Sequence, residues 1–121
     1  MIYITIDGDD IGQMIASSYL KNDLNELSRV NQVVNEKTTL ISDFLSTQGF
    51  NIIFCAADGV AGYSEAEIID EITLFEEIKS IAEPELHFSA GIGATLQESY
   101  IALLSAKSSG KCCLHKFSVL N

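Results

Sequence analysis

The sequence predicts an α+β fold, in which helices pack on a small sheet. Short apolar runs with the period-two pattern of strands alternate along the chain with longer segments of helical period. The chain has 121 residues, 47% of them hydrophobic, which matches one domain with a sizeable core. A single proline and the lack of low-complexity runs argue against disorder. We therefore expect one domain over residues 1–121.

Three elements are predicted before residue 50. Alternating β-branched residues indicate a first strand at 2–6. A helix follows Gly8, and its apolar face is expected to hold Ile11, Met14, Ile15 and Leu20. Residues 21–23 interrupt it, and a longer helix is predicted over 24–48, with Gly49 just past its end as a C-terminal cap.

A hairpin is predicted next, with strands at 51–55 and 60–63. The first of these strands is apolar on both faces and is expected to be central. Asp58-Gly59 predicts the turn, with Gly59 taking the positive φ of a tight turn. The Ser-x-x-Glu pattern from Ser64 to Glu67 predicts a capping box that opens a helix, and this helix ends at residues 83–85.

The remaining predicted elements are a strand, a helix and a final strand. Residues 86–93 alternate with period two, and a second capping box at Thr95–Glu98 opens a helix that runs to Lys107. Residues 112–120 alternate weakly and are predicted to form the last strand. The order contains β-α-β-β-α-β, a ferredoxin-like core, with one extra helix and one extra edge strand. In this topology the first and third strands are central neighbours, so Asp7 and Asp58 are expected to meet.

Charge and composition exclude several classes of protein. A net charge of −10 disfavours an extended nucleic-acid surface, although one metal ion and a few lysines suffice for a nucleotide. No apolar run is long enough to span a membrane, and no signal peptide opens the chain. Three cysteines form neither a disulfide framework nor zinc spacing, which favours the cytoplasm.

Carboxylates cluster directly after the first strand, at Asp7, Asp9 and Asp10. Such a cluster destabilises a fold unless it is paired, but it is suited to hold Mg²⁺ or Mn²⁺ with substrate phosphates. The alternative is a solvated turn, in which Asp9 holds the loop and Asp10 caps the helix. Lys107 and Lys111 supply the strongest local concentration of cations, although Lys107 equally suits a helix C-terminus.

Four motifs in order resemble the palm-type nucleotide cyclases, among them the diguanylate cyclases of the GGDEF family. They are Asp7-Gly8-Asp9 after the first strand, Ala56-Ala57-Asp58 in the hairpin, Ser89-Ala90-Gly91-Ile92 in a strand, and the Ala-Leu-x-x-Ala-Lys-x-x-Gly-Lys pattern over 102–111. A free-standing chain of this size with Asp-Gly-Asp-Asp resembles the minimal CRISPR polymerases (mCpol), which are similar to the palm domain of the large type III CRISPR subunit. The resemblance implies ATP as substrate, a cyclic di- or oligonucleotide as product, pyrophosphate release and a role in antiphage signalling.

The resemblance also implies roles for individual residues. Asp7 and Asp58 match catalytic metal ligands, and Gly8 matches a carbonyl ligand. Lys107 and Lys111 match phosphate-binding cations. Residues that would border the nucleotide are Asp9, Asp10, Ala56, Ala57, Ser89 and Gly91, although Ser89 and Gly91 equally suit close packing. His87 and His115 have no matching partner and are expected to be structural.

Some departures from the cyclase pattern keep alternatives open. Ala56 and Ala57 replace glycines, Gly59 replaces an acid, and the helix from Leu24 lacks the pattern of guanine recognition. The preferred hypothesis is a metal-dependent cyclase that works as a homodimer, since ring closure needs two facing sites or one site that rebinds its intermediate. A nucleotide-binding module without turnover is the main alternative, and a ring-opening nucleotide hydrolase is a third.

Overall fold

A computed structural model describes residues 1–118 as a five-stranded sheet with helices on both faces. The elements in chain order are β1 (Ile2–Gly8), α1 (Ile11–Leu20), α2 (Leu24–Thr47), β2 (Asn51–Ala56), β3 (Gly59–Ser64), α3 (Glu71–Ala82), β4 (Phe88–Gly93), α4 (Leu96–Ser108) and β5 (Leu114–Lys116). None of the helices in this part of the chain is both long and apolar enough to cross a membrane.

The strand order is β2-β3-β1-β4-β5. β1 runs antiparallel to both β3 and β4, and β5 adds to β4 in parallel. This arrangement confirms the predicted ferredoxin-like core, with a second helix between β1 and β2 and an extra strand at one edge. It also places Asp7, near the end of β1, opposite Gly59 of β3 and Ser89 of β4.

The two faces of the sheet are covered by different helices. Even-numbered residues of β1 and β4, including Ile4, Ile6 and Phe88, pack with the buried side chains of α2 and α3. Odd-numbered positions face α4, where Thr5 Oγ1 lies 2.8 Å from Ser99 Oγ. Because Asp7 also has an odd number, its side chain belongs to the α4 face, and this brings Lys107 of α4 within reach.

The expected central position of the first hairpin strand is wrong. β2 lies at the edge of the sheet, and Ile53 and Phe54 are 47% and 49% exposed. An apolar run on both faces is typical of a central strand, but the topology places the first strand of this hairpin outside the second. The apolar side chains of β2 are therefore only partly buried in the core of this chain.

The predicted hairpin forms, but its turn is displaced by one residue. Ala56 pairs with Gly59, so the two turn residues are Ala57 and Asp58. Ala57 takes the positive φ, at 51°, and Gly59 lies within the strand. The register of β3 on β1 decides this, since Gly59 is also the partner of Asp7.

The first predicted capping box is wrong, and the second forms at its N-cap, with Glu98 Oε1 accepting from Ala94 N at 3.4 Å and not from Thr95 N. Ser64 ends β3, and α3 begins at Glu71, capped by Asp70, which accepts from Thr73 N at 3.1 Å. Pairing of Ser64 with Ile2 uses its backbone in the sheet, so a local pattern is overridden by a strand. At α4, Thr95 Oγ1 accepts from Glu98 N at 3.1 Å, as predicted.

Two smaller expectations also change. Leu20 is 88% exposed and does not join the apolar face of α1. The last strand is only Leu114–Lys116, because Lys111 and Cys112 adopt positive φ and turn the chain first. Residues 119 and 120 of the predicted strand lie outside the described residues.

Candidate active site

The predicted pair of carboxylates, Asp7 and Asp58, lies where the central strand β1 ends, beside the turn between β2 and β3. We call this end of the sheet the acidic edge. Gly8 N donates a hydrogen bond to Asp58 O at 3.0 Å, which locks the end of β1 to the hairpin turn. Burial, and next to it the neighbouring charge of Asp58, raises the pKa of Asp7 above its ordinary value. The structure therefore brings Asp7 and Asp58 together, as the topology predicted.

Lys107 reaches this edge from the last turn of α4. Its Nζ lies 2.8 Å from Gly8 O, 3.0 Å from Asp9 Oδ1 and 3.2 Å from Asp7 Oδ2. Burial disfavours the ammonium, but its hydrogen bond to Asp9 and the charges of Asp7 and Asp9 outweigh this and raise the pKa of Lys107. Lys107 is thus a charged partner of the carboxylates, and the phosphate contact that the resemblance implies stays a prediction.

Asp9 joins three segments of the chain and is only 6% exposed. It accepts hydrogen bonds from Ser89 Oγ at 2.7 Å and from Cys112 N at 2.9 Å, in addition to Lys107. Its own N–H donates to His87 O at 2.9 Å. A buried carboxylate needs hydrogen-bond donors to offset the cost of its burial, and Asp9 has three of them. The geometry favours the loop-holding role for Asp9 over contact with a nucleotide.

Asp10 does not take the alternative role of a side-chain cap of α1. It stands at the N-cap with a φ of 61°, and its side chain makes no capping hydrogen bond. Instead, its carboxylate pairs with Lys111, which lies after α4. This pair is exposed at the rim of the site, so Lys111 is accessible to an incoming phosphate.

Ser89 and Gly91 are both buried in β4. Ser89 is fully buried and donates to Asp9. A Cβ on Gly91 would lie within 2.8 Å of Ala102 C and closer still to Leu103 N and Ser99 O. Of the two alternatives, the burial and contacts of these residues favour close packing.

Gly8 is buried at this edge, whereas Ala56 and Ala57 are exposed beside it. A Cβ on Gly8 would meet Ile11 Cγ1 at 2.6 Å and Asp58 Oδ2 at 3.1 Å, so no larger residue fits there. Ala56 and Ala57 are exposed in the hairpin. Asp58, the next residue, is only half-buried.

A cleft that sequence reasoning missed opens beside this edge, between α1 and α2. It has a volume of about 540 Å³, within the range of small-molecule sites. Its lining is largely apolar, with polar groups at Asn31, Asn35 and Asp58. Asn35 Nδ2 lies 3.4 Å from Asn31 Oδ1, one helical turn away. Two asparagines at this spacing in α2 were the signal in the sequence that could have indicated a polar patch.

The oxygen donors at the edge suit a divalent cation. Two carboxylates, Asp7 and Asp58, and the carbonyl of Gly8 are the hard ligands that Mg²⁺ and Mn²⁺ prefer. Lys107 contacts two of these three groups. A metal ion held there would displace the Lys107 ammonium from Asp7 and from the Gly8 carbonyl, while Lys107 keeps its hydrogen bond to Asp9.

Solved structures similar to this chain include nucleotide cyclase domains. The GGEEF domain of a diguanylate cyclase from Vibrio cholerae has a TM-score of 0.71 and 17% identity, and the match covers 98% of this chain and 83% of that one. The GGDEF domain of DgcB from Caulobacter crescentus, in complex with c-di-GMP, has a TM-score of 0.73 and 12% identity, with 98% and 76% covered. The guanylyl cyclase Cya2 matches at a TM-score of 0.56 and 13% identity, with 86% and 68% covered. At these identities the likeness shows the fold.

The fold and family define a palm domain of the nucleotide cyclase and polymerase type. Residues 3–117 match the family model of mCpol, the minimal CRISPR polymerase domain, and the chain belongs to this family. No curated protein sequence matches it significantly.

Proposed function

We propose that the chain is a metal-dependent nucleotidyltransferase that converts ATP into a cyclic di- or oligonucleotide and releases pyrophosphate. One observation carries the proposal. Asp7 and Asp58 lie side by side with the Gly8 carbonyl at an open edge of the sheet, and Lys107 and Lys111 stand beside them. Oxygen ligands and cations in this combination suit a triphosphate.

Each residue has a role in this proposal. Asp7, Asp58 and the carbonyl of Gly8 hold Mg²⁺ or Mn²⁺, which when bound polarises the phosphates and stabilises the charge of the departing pyrophosphate. Lys111 is free to leave its exposed pair with Asp10 and bind the phosphate tail. Lys107, tied to buried Asp9, fixes the direction of Asp7 and adds positive charge close to the phosphates.

The bond changes are those of phosphoryl transfer. A ribose hydroxyl oxygen of one nucleotide bonds to the α-phosphorus of another, and the bond from that phosphorus to the bridging oxygen breaks. Pyrophosphate departs with the electron pair, and the hydroxyl proton passes to solvent. A second transfer of the same kind closes a two-nucleotide ring. The protein contributes mainly position and electrostatics to both transfers.

The cleft between α1 and α2 is the proposed place of the adenine base. It opens at Ala57 and Asp58, so a nucleotide with its phosphates at the edge can extend its base into it. Apolar walls suit a purine ring, and amide groups such as those of Asn31 and Asn35 pair well with the hydrogen-bonding edge of adenine.

Three wider features complete the proposal. Ring closure by two facing sites suggests a homodimer. Membership of a family described as minimal CRISPR polymerases supports a role for the product in antiphage signalling. The three free thiols, Cys55, Cys112 and Cys113, suit a reducing cytoplasm.

The test is to incubate the purified protein with ATP and either Mg²⁺ or Mn²⁺, and to measure pyrophosphate while the products are identified by mass spectrometry. We expect pyrophosphate and a cyclic adenylate, and a mixture of the four nucleoside triphosphates is expected to give the same main product. Absence of pyrophosphate with every nucleotide and both metals would contradict the proposal.

Asn35→Ala is expected to raise the KM for ATP about tenfold, which corresponds to the ~1.4 kcal/mol of a lost base contact. Asn25→Ala, on the same helix but outside the cleft lining, is the matched control and is expected to leave the KM unchanged. Steady-state kinetics on both variants provide the measurement. An equal effect of the two substitutions would mean that the base binds elsewhere.

A second candidate is a nucleotide-binding module without turnover. It is favoured by the contacts of Lys107, which neutralises Asp7 and covers the Gly8 carbonyl. Under this alternative, ATP binds in calorimetry but no pyrophosphate appears, and Asp58→Ala leaves the affinity unchanged.

A further inference from the structure

A second group of side chains, of the types that bind metal ions, lies next to the acidic edge. The proposed reaction uses none of them. Glu83 follows the last turn of α3, His87 precedes β4, and Cys112 lies in the loop before β5. One ligand atom from each side chain lies within 4.8 Å of the others. Within residues 1–118 this is the only such trio of histidine, cysteine and acidic residues.

The distances between the ligand atoms of these side chains are close to the distance between two ligands of a tetrahedrally coordinated metal ion. His87 Nδ1 is 3.5 Å from Cys112 Sγ and 4.0 Å from Glu83 Oε1. Metal bonds of about 2.3 Å to sulfur and about 2.1 Å to nitrogen or oxygen separate adjacent ligands by roughly 3.5 Å. The nitrogen–sulfur pair already has this spacing. The same nitrogen faces both partners, and a small rotation of the exposed Glu83 side chain closes the remaining gap.

The backbones that carry two of these ligands are already fixed. His87 O accepts the hydrogen bond of Asp9 N, and Cys112 N donates to Asp9 Oδ2 and to Ser89 Oγ at 3.0 Å. Glu83 has one competing partner, Lys79, whose Nζ lies 3.8 Å away in an exposed pair of little strength. Binding an ion therefore requires ordering of one surface carboxylate.

We propose that Glu83, His87 and Cys112 bind Zn²⁺, with water as the fourth ligand. A thiolate, an imidazole and a carboxylate form a set that selects Zn²⁺ over Mg²⁺, which prefers oxygen alone. Burial raises the pKa of the Cys112 thiol, so the ion displaces a proton there. The bound ion would fix the loop in which Lys111 and Cys112 have φ values of 67° and 48°. That loop holds Asp9 and presents Lys111, so the ion supports the acidic edge from behind.

The test is titration of the reduced, metal-free full chain with CoCl₂, followed by absorption spectroscopy. Co²⁺ takes tetrahedral zinc sites and reports a thiolate ligand through a charge-transfer band. We expect one equivalent to produce this band together with tetrahedral ligand-field bands, and ZnCl₂ to remove both. MgCl₂ at millimolar concentration is expected to remove neither.

Variants separate this site from adventitious binding. Cys112→Ser is expected to abolish the charge-transfer band. Cys113→Ser is the matched control and should retain it, because Cys113 Sγ faces Ala106 O of α4 at 3.5 Å. Glu83→Gln, at an exposed position that cannot unfold the chain, is expected to weaken Co²⁺ binding by more than about tenfold. Absence of the band, or its survival in Cys112→Ser, would overturn the proposal.

Discussion

Asp58→Asn is expected to lower pyrophosphate release from ATP by at least about a thousandfold, because the variant loses a charged metal ligand with little change in shape. The backbone bond between Gly8 N and Asp58 O is retained, so the end of β1 stays in place. The measurement is the initial rate of pyrophosphate release at saturating Mg²⁺ and ATP. Asp43→Asn, exposed on α2, is the control and is expected to keep the wild-type rate.

The thermal stability of Asp58→Asn distinguishes loss of a metal ligand from loss of the fold. The charge of Asp58 contributes to the raised pKa of Asp7, so the two carboxylates repel each other in the folded protein. An acid with a raised pKa in the folded state costs stability above that pKa, and removal of the Asp58 charge relieves part of this cost. Asp58→Asn should therefore melt no lower than wild type at neutral pH. Wild-type activity in this variant would eliminate the proposed metal site.

Gly91→Ala is expected to destabilise the fold by about 3 kcal/mol or more, since a methyl group there collides with the backbone of α4. The methyl group would collide with Ala102 C, Leu103 N and Ser99 O. These are backbone atoms, so they cannot move away by a change of rotamer as a flexible side chain can. The strand and helix would have to separate locally. Urea denaturation followed by circular dichroism measures the effect.

The chain offers a matched control for this substitution. Gly12 lies in α1, and a Cβ there would have no atom within 4 Å. Gly12→Ala is expected to stabilise the protein by about 0.5–1 kcal/mol, because alanine loses less conformational entropy in a helix. If the two variants shifted the urea midpoint alike, the close approach of α4 to β4 would be refuted.

The glycines also illustrate which parts of the site could be predicted. Gly91 belongs to a motif that was visible in the sequence, but a motif cannot distinguish a glycine that faces a phosphate from one that faces a helix. Asp9 poses the same problem. It lies two residues after Asp7, just beyond the end of β1, and its carboxylate is buried by hydrogen bonds from Ser89 and Cys112. Local sequence identifies the residue types, and the packing of α4 and the loop before β5 assigns their contacts.

Errors in the elements have a similar origin. The Ser64–Glu67 pattern is a good local signal for a helix start, but pairing of Ser64 with Ile2 makes Ser64 the last residue of β3. The apolar residues of β2 matched a buried strand, and the position of β2 in the sheet left Ile53 and Phe54 half exposed. In both cases a long-range pairing outweighed a local preference.

By itself, the sequence determined the order of strands and helices, the ferredoxin-like core and the meeting of Asp7 with Asp58. Periodicity and turn residues act locally, and few topologies connect such elements. Only the tertiary structure decided that Lys107 pairs with Asp7 and Asp9, that a cleft opens between α1 and α2, and that Glu83, His87 and Cys112 converge. These contacts join residues far apart in the chain, and their energies depend on burial and distance, which exist only after the sheet and helices have packed.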